Sequence, residues 1–234
     1  MSSALYTSDF YRHVQQGALD SATVVVPLIL SIISPKSVID VGCGTGCWLR
    51  VFQQHGIQDV RGIDGQDVPQ ELLLFDPRRF LATDLSIPFN LSRRADLLLS
   101  LEVAEHLPSE SAEGFVDSLV RLSHVVLFSA AIPGQGGTNH LNEQWPSYWA
   151  ALFAKHDYAA IDCLRPKIWN DNAIKFWYRQ NTILYAYREY LRSDSCQPEL
   201  RSQPCVISPL PLVHPELFRR KCASSGSDSS APHP

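Results

Sequence analysis

From residue 37 to 188 two kinds of apolar pattern alternate along the chain. Short β-branched or aliphatic runs occupy 37–42, 59–64, 79–84, 95–103, 123–131, 158–164 and 181–188. The run ADLLLSLEV at 95–103 is almost continuously apolar, as expected of a central parallel strand covered on both faces. Between the runs, apolar residues recur at helical spacing. Over 111–122 Phe115, Leu119 and Leu122 share one face, with Val116 and Val120 beside them. Pro146, ahead of SYWAALFAKH, predicts a helix with proline in its first turn. Alternation of this kind predicts an α/β sheet with helices on both faces.

The flanks read differently. Residues 1–16 carry Tyr6, Phe10 and Tyr11 and are expected to form a helix over the cleft. The stretch 24–33 is the most apolar in the chain, but it is too short to span a bilayer and contains Pro27, so it predicts a first core helix. Beyond Arg192 prolines recur, and the end reads CASSGSDSSAPHP, too poor in apolar residues to fold alone. The predicted organisation is a helical cap and first core helix at 1–35, a core at 36–190, and a Pro/Ser-rich, partly mobile extension at 191–234.

Composition narrows the class. With 234 residues there is material for one sizeable core. Hydrophobic residues at 45% against charged residues at 19% fit a globular domain rather than a disordered or membrane chain. The net charge of −4 provides no electrostatic footprint for long nucleic acid or an anionic membrane. Cysteines 43, 47, 163, 196, 205 and 222 form no CxxC pair, so reduced thiols are expected rather than disulfides or structural zinc. The first residues lack the pattern of a signal peptide, and a cytoplasmic location is expected. Oligomeric state is not legible in the sequence.

IDVGCGTGCWL at 39–49 carries the first chemistry. Gly42, Gly44 and Gly46 follow a strand and precede a helix, where glycine permits a tight turn and a close approach of ligand to main chain. The spacing is G-x-G-x-G, not the G-x-G-x-x-G of nicotinamide enzymes. Asp64 ends the next strand and can accept both hydroxyls of a ribose, and Asp84 ends the one after. Carboxylates at successive strand ends matter because open α/β sheets bind ligands beyond their carboxyl edge.

IDVGCGTG, GID, ATDLS and DLLLSLEVAEHL together resemble a class I S-adenosylmethionine-dependent methyltransferase over roughly 36–188. The resemblance implies a Rossmann-like, mostly parallel seven-stranded sheet whose last strand is antiparallel. It also implies S-adenosyl-L-methionine as cofactor. Gly42, Cys43 and Gly44 would meet the methionine part through the backbone, Asp64 would hold the ribose, and Asp84 and Leu85 would face the adenine. Asp40 would support the glycine loop or bind the amino group through water, and Gly46, Gly65 and Leu101 would complete the cofactor contacts.

SLEVAEHL at 100–107 places two carboxylates and an imidazole at the mouth of the predicted central strand. Positions 102, 105 and 106 are related as i, i+3 and i+4, so one helical turn can aim all three side chains the same way. Two carboxylates so close repel unless a cation or a proton lies between them. Oxygen and imidazole donors suit Mg²⁺, Mn²⁺ or Fe²⁺. Glu102, Glu105, His106 and the later His140 are similar to the E-x-x-E-H…H set of metal-dependent O-methyltransferases of the small-RNA 2′-O- and ubiquinone-pathway types. The alternative is metal-free, with His140 or His106 as general base and Glu143 as its orienter. The expected reaction is O-methylation of a small hydroxylated molecule. An RNA terminus is the rival acceptor, against which the acidic balance counts. A cofactor-binding module without methyl transfer is the rival of another class.

Overall fold

The computed structural model describes residues 8–225. Seven strands form one sheet: β1 (Ser37–Val41), β2 (Asp59–Asp64), β3 (Phe80–Ala82), β4 (Leu97–Leu101), β5 (Val125–Ser129), β6 (Tyr158–Ile161) and β7 (Ile183–Tyr187). Nine described helices surround it: α1 (Ser8–Leu30), α2 (Cys47–Gln54), α3 (Ala112–Leu122), α4 (Pro146–Lys155), α5 (Arg165–Ile168), α6 (Phe176–Asn181), α7 (Arg188–Arg192), α8 (Pro198–Arg201) and α9 (Pro215–Ser225). The strand order is β3-β2-β1-β4-β5-β7-β6. All pairs are parallel except those of β7, which runs antiparallel to both β5 and β6. This is the predicted sheet, with the last strand reversed.

Side chains of the central strands alternate between two apolar clusters, as the pleat requires. Leu97, Leu99 and Leu101 of β4 join the cluster packed by α1 and α2, whereas Leu98 joins the one packed by α3 and α4. Every residue of β4 and β5 is buried, which explains why their sequences show no polar alternation. The order reverses between β1 and β4, and connections leave these strands in opposite directions. A crevice therefore opens at their carboxyl ends, the usual ligand site of doubly wound sheets.

Some elements differ from the sequence expectation. The N-terminal cap and first core helix are one 23-residue helix, with Pro27 inside it. Its residue Gln15 accepts a contact from the Cys47 thiol at 3.5 Å, so α1 runs beside the glycine loop; residues 1–7 of the expected cap lie outside the described residues. The strand at 79–84 shortens to Phe80–Ala82, because the chain turns at Asp84, whose Oδ1 accepts from the Ser86 N–H and hydroxyl. No described helix is long and apolar enough to cross a membrane.

The extension departs furthest. Up to residue 225 it is folded against the body rather than loose, while the Ser/Pro-rich end at 226–234 lies outside the described residues. Cys196 and Leu200 are buried in the main cluster, and Leu217 packs on Ile132 and Phe176. Polar anchors add direction. The Val206 N–H donates to the Ala160 carbonyl at 2.8 Å, Arg165 donates to the Leu210 carbonyl at 3.0 Å, and the His214 N–H donates to Gln180 at 2.7 Å. Few apolar residues suffice, because the extension docks on an existing core and need not build its own.

Buried Arg179 donates to Glu216 of α9 at 2.7 Å. Removing that carboxylate strands a buried cation that keeps only the Trp169 carbonyl and Asn172 as acceptors. Glu216→Ala is expected to cost about 1–3 kcal/mol of folding stability, read from denaturant midpoints. A change below about 0.5 kcal/mol would show that α9 is not held by this pair.

Candidate active site

The glycine loop begins where β1 ends. Gly42, Gly44 and Gly46 all have positive φ, at 80°, 51° and 80°. At Gly42 a Cβ would lie 2.2 Å from a methyl of Val103, so this turn accepts neither another backbone geometry nor another side chain. Gly46 starts α2 in the left-handed conformation. Phe75, from the segment between β2 and β3, packs where side chains at Gly46 and Gly62 would have been.

Asp64 at the end of β2 ties two loops together. Its Oδ2 accepts from the Gly44 N–H and its Oδ1 from the Gly65 N–H, both at 2.6 Å. Burial raises its pKa and these amides lower it. An ionised carboxylate offers about four lone-pair positions, so those not used by the loop can still meet paired hydroxyls. Asp40, inside β1, is buried, and its Oδ2 has no hydrogen-bond partner among the described residues. Burial first, and then the charge of Asp64, push its carboxyl well above the usual range. Cys43 is buried in the turn, and burial raises its thiol well above the ordinary value, which makes it a packing residue rather than a nucleophile. Leu85 and Leu101 are buried in the apolar clusters, and Asp84 serves the turn at Ser86.

At the mouth of β4 the expected single helical turn does not form. Glu102 takes φ 55°, and only residues 104–106 make a short 3₁₀ turn. That left-handed residue costs about 1–2 kcal/mol and breaks the progression that would have aligned positions 102, 105 and 106. It is held by its own N–H, which donates to the Ser129 carbonyl and hydroxyl, each at 3.0 Å. The Glu102 carboxylate is received by buried amides, yet it stays close enough to Glu105 for its charge to raise that residue's pKa. It accepts from Gln135 Nε2 at 3.0 Å and from Asn181 Nδ2 at 3.0 Å. The tight cluster of possible ligand atoms among the described residues comprises Glu105, His106 and His140, with Glu102, expected in the set, held by amides beside it.

The remaining three residues do converge. Ligand atoms of Glu105, His106 and His140 all lie within 4.8 Å of one another. The loop after β5 is folded back because the N–H groups of Leu141 and Asn142 both donate to the Glu105 carbonyl, at 2.7 and 3.0 Å. The His106 and His140 rings meet edge to face at 4.9 Å. Glu105 is fully buried with no hydrogen-bond partner at either oxygen among the described residues. Burial and the charge of Glu102 raise its pKa well above normal. Burial, then the His140 charge, lower His106 to about 4, so its imidazole is neutral at physiological pH. A buried carboxylate lacking partners beside two imidazoles is a donor set that fits a divalent cation.

His140 has an orienter. Its Nδ1 lies 2.8 Å from Glu143 Oε1. Glu143 is also gripped by the N–H groups of Gly134 and Gly136, at 2.7 and 2.6 Å, and these bonds lower its pKa against the opposing effect of burial. An ionised Glu143 can only accept, so His140 Nδ1 donates to it. Nε2 packs so tightly on Gly137 that a Cβ there would lie 2.3 Å away.

Sequence reasoning missed Gln135, Gln180 and Asn181. All three are buried, and together they form the amide network that holds Glu102. Asn181 reads in sequence as the start of the last strand, and nothing local marks an amide as a partner for a carboxylate 79 residues earlier.

Strand order and glycine loop define a doubly wound α/β protein whose order reverses between β1 and β4. The chain belongs to the methyltransferase-domain family, whose model matches residues 11–156. No match to a curated protein is found. Among solved structures it is similar to the plantazolicin methyltransferase BpumL in complex with SAH, with TM-score 0.53, 17% identity, and coverage of 77% of this chain and 89% of that one. Human N-acetylserotonin methyltransferase in complex with SAM aligns with TM-score 0.51 and 14% identity over 76% of this chain. A candidate O-methyltransferase of Nostoc punctiforme PCC 73102 aligns with TM-score 0.56 and 14% identity, also over 76%. The chain spans only 54% and 59% of the lengths of those last two proteins. At these identities the likeness is one of fold.

Asp40 yields a pH-dependent prediction. Its folded pKa lies above the unfolded value, so the native state binds the extra proton and stability falls as pH rises from about 4 through the folded pKa. Without cofactor, Asp40→Asn should be more stable than wild type at pH 8 by about 1 kcal/mol or more, and the gap should close near pH 4. Equal midpoints at both pH values would show that Asp40 carries no such penalty.

Proposed function

We propose that the protein transfers the methyl group of S-adenosylmethionine to a hydroxyl oxygen of a small molecule. The observation that carries this reading is the cleft itself: a glycine loop at the end of β1, pinned to Asp64 at the end of β2, next to a buried Asp40 whose Oδ2 has no hydrogen-bond partner among the described residues. Asp64 supports ribose recognition through its remaining lone pairs. Asp40 supports binding of the cofactor's ammonium group. The acceptor oxygen attacks the methyl carbon in line; the new C–O bond forms as the C–S bond breaks, its electron pair returns to sulfur, and the acceptor proton leaves to a base. The protein's task is to position two reactants and exclude water.

Within that reaction, Glu105, His106 and His140 are the residues that would hold a divalent cation, and two imidazoles with one carboxylate favour Mn²⁺ or Fe²⁺ over Mg²⁺. Such a cation, when bound, supplies Lewis acidity that lowers the hydroxyl's pKa. Glu143 fixes the tautomer of His140, and the amide network holds Glu102 toward the acceptor side. The His140–Glu143 contact also favours a second reading, in which His140 is itself the general base. His106, depressed to about 4, is a poor base in either case.

Calorimetry should detect SAH binding, and Asp64→Ala should weaken it by about 1.5–3 kcal/mol; wild-type protein that binds no SAH would sink the assignment. For the cation, Mn²⁺ binding read by electron paramagnetic resonance should be lost in Glu105→Gln and kept in Glu102→Gln. His140→Ala should lower turnover by about 10²-fold or more with little change in SAH affinity. Full turnover by chelated protein that elemental analysis shows to be free of metal would leave the general-base reading.

A further inference from the structure

Side-chain amides hold Glu102, and an amide can be turned end for end with almost no change of shape. Its oxygen only accepts and its NH₂ only donates. Some other group must therefore decide which end of Gln135 and of Asn181 faces the carboxylate. The hydrogen bonds lead back to the C-terminal extension.

The His214 N–H donates to Gln180 Oε1 at 2.7 Å. A backbone N–H can only donate, so the Gln180 oxygen must be the end that faces it. Gln180 Nε2 is then left to donate, and it does so to Gln135 Oε1 at 3.0 Å and to Asn181 Oδ1 at 2.9 Å. With their oxygens taken, both residues present NH₂ to Glu102. Gln135 Nε2 reaches Glu102 Oε2 at 3.0 Å, and Asn181 Nδ2 reaches Glu102 Oε1 at 3.0 Å. Asn181 Nδ2 also donates to Gln135 Oε1 at 3.0 Å, which closes the network. Donation thus runs in one direction, from a backbone N–H at residue 214 to both carboxylate oxygens of residue 102.

Gln135, Gln180 and Asn181 are all buried, so bulk water does not replace a bond that is lost. Buried Arg165 ties the same residues to the extension a second time, donating to the Gln180 carbonyl at 3.3 Å and to the Leu210 carbonyl at 3.0 Å. Gln180, Asn181 and His214 lie outside the family-matched residues 11–156. Among the described residues no hydrogen bond joins Gln180 to Glu102 directly, so any influence between them passes through the two amides.

We propose that Gln180 is a positioning residue: oriented by the His214 N–H of the extension, it sets the polarity of the Gln135 and Asn181 amides and thereby holds Glu102 in one orientation at the carboxyl end of β4. Its part in catalysis rests on the methyltransferase reading, whereas the polarity of the network does not. The extension is then a working part of the domain, because it sets a residue beside the candidate ligand cluster without touching it.

The test exchanges the two ends of the network in the full chain. Glu102→Gln sets an NH₂ against two donors, and Gln180→Glu sets an acceptor where two oxygens need a donor. Each change alone is expected to raise the unfolding equilibrium constant about tenfold or more. In Glu102→Gln/Gln180→Glu the amides of Gln135 and Asn181 can turn end for end and donate toward position 180. The cost of this pair should fall below the product of the single costs by more than about twofold. The side-chain amide resonances of Gln135 and Asn181, read by ¹H–¹⁵N spectroscopy, should regain the slow proton exchange of the wild type. Glu102→Gln/Gln180→Met provides no acceptor at position 180 and should recover neither property. Where a single variant does not fold, folding of the exchanged pair answers the same question. The inference is overturned if either single change is neutral, if the exchanged pair costs the full product or does not fold, or if the methionine pair recovers equally. Calorimetry with SAH on the wild type tests the methyltransferase reading separately: absent binding would remove the catalytic role and leave the polarity of the network standing.

Discussion

The candidate site depends on where one carboxylate points. Glu102 leaves β4 in a left-handed conformation and is received by two buried amides, Gln135 and Asn181. Gln180 joins them, donating to Gln135 and Asn181 and accepting from the His214 N–H of the extension. A buried carboxylate without partners is expensive, and a fully bonded amide network is the least costly way to keep one in place. The same network joins β4, the loop after β5, α6 and the C-terminal extension, so the setting of Glu102 and the docking of the extension are one structural problem.

Four buried or half-buried carboxylates near this edge fall into three different situations. Glu102 is satisfied by side-chain amides. Asp64 is satisfied by backbone N–H groups of two glycines. Asp40 and Glu105 retain oxygens without partners, and burial raises both pKa values. Buried groups with strongly displaced pKa values concentrate at functional sites. Of the two unsolved carboxylates, Asp40 lies in β1 ahead of the glycine loop and Glu105 beside the two histidines.

The extension changes how the domain is divided. Its helix α9 supplies Leu217 to a small apolar cluster and Glu216 to buried Arg179. A sheet common to many methyltransferases thereby gains a docked segment that lies outside the residues matched by the family.

Much was legible from local pattern alone. Nearly continuous apolar runs located β4 and β5, because strands buried on both faces show no polar alternation, with only Ser100 and Ser129 interrupting them. Gly42, Gly44 and Gly46 marked the turn, because only glycine tolerates the positive φ and the contact of Gly42 with Val103. Acids at the ends of strands marked the cleft edge. Other features needed tertiary structure. The i, i+3, i+4 spacing of Glu102, Glu105 and His106 suggested a shared helical face, but the backbone at Glu102 is set by Ser129 on the neighbouring strand, and its side chain by amides at 135 and 181. The composition of the extension suggested a loose tail because composition reports what a segment can bury alone, not the groove it can fill. Contacts between residues 79 or 37 positions apart, such as Asn181 with Glu102 and Glu216 with Arg179, leave no periodic trace in the chain, and only the folded sheet brings them together.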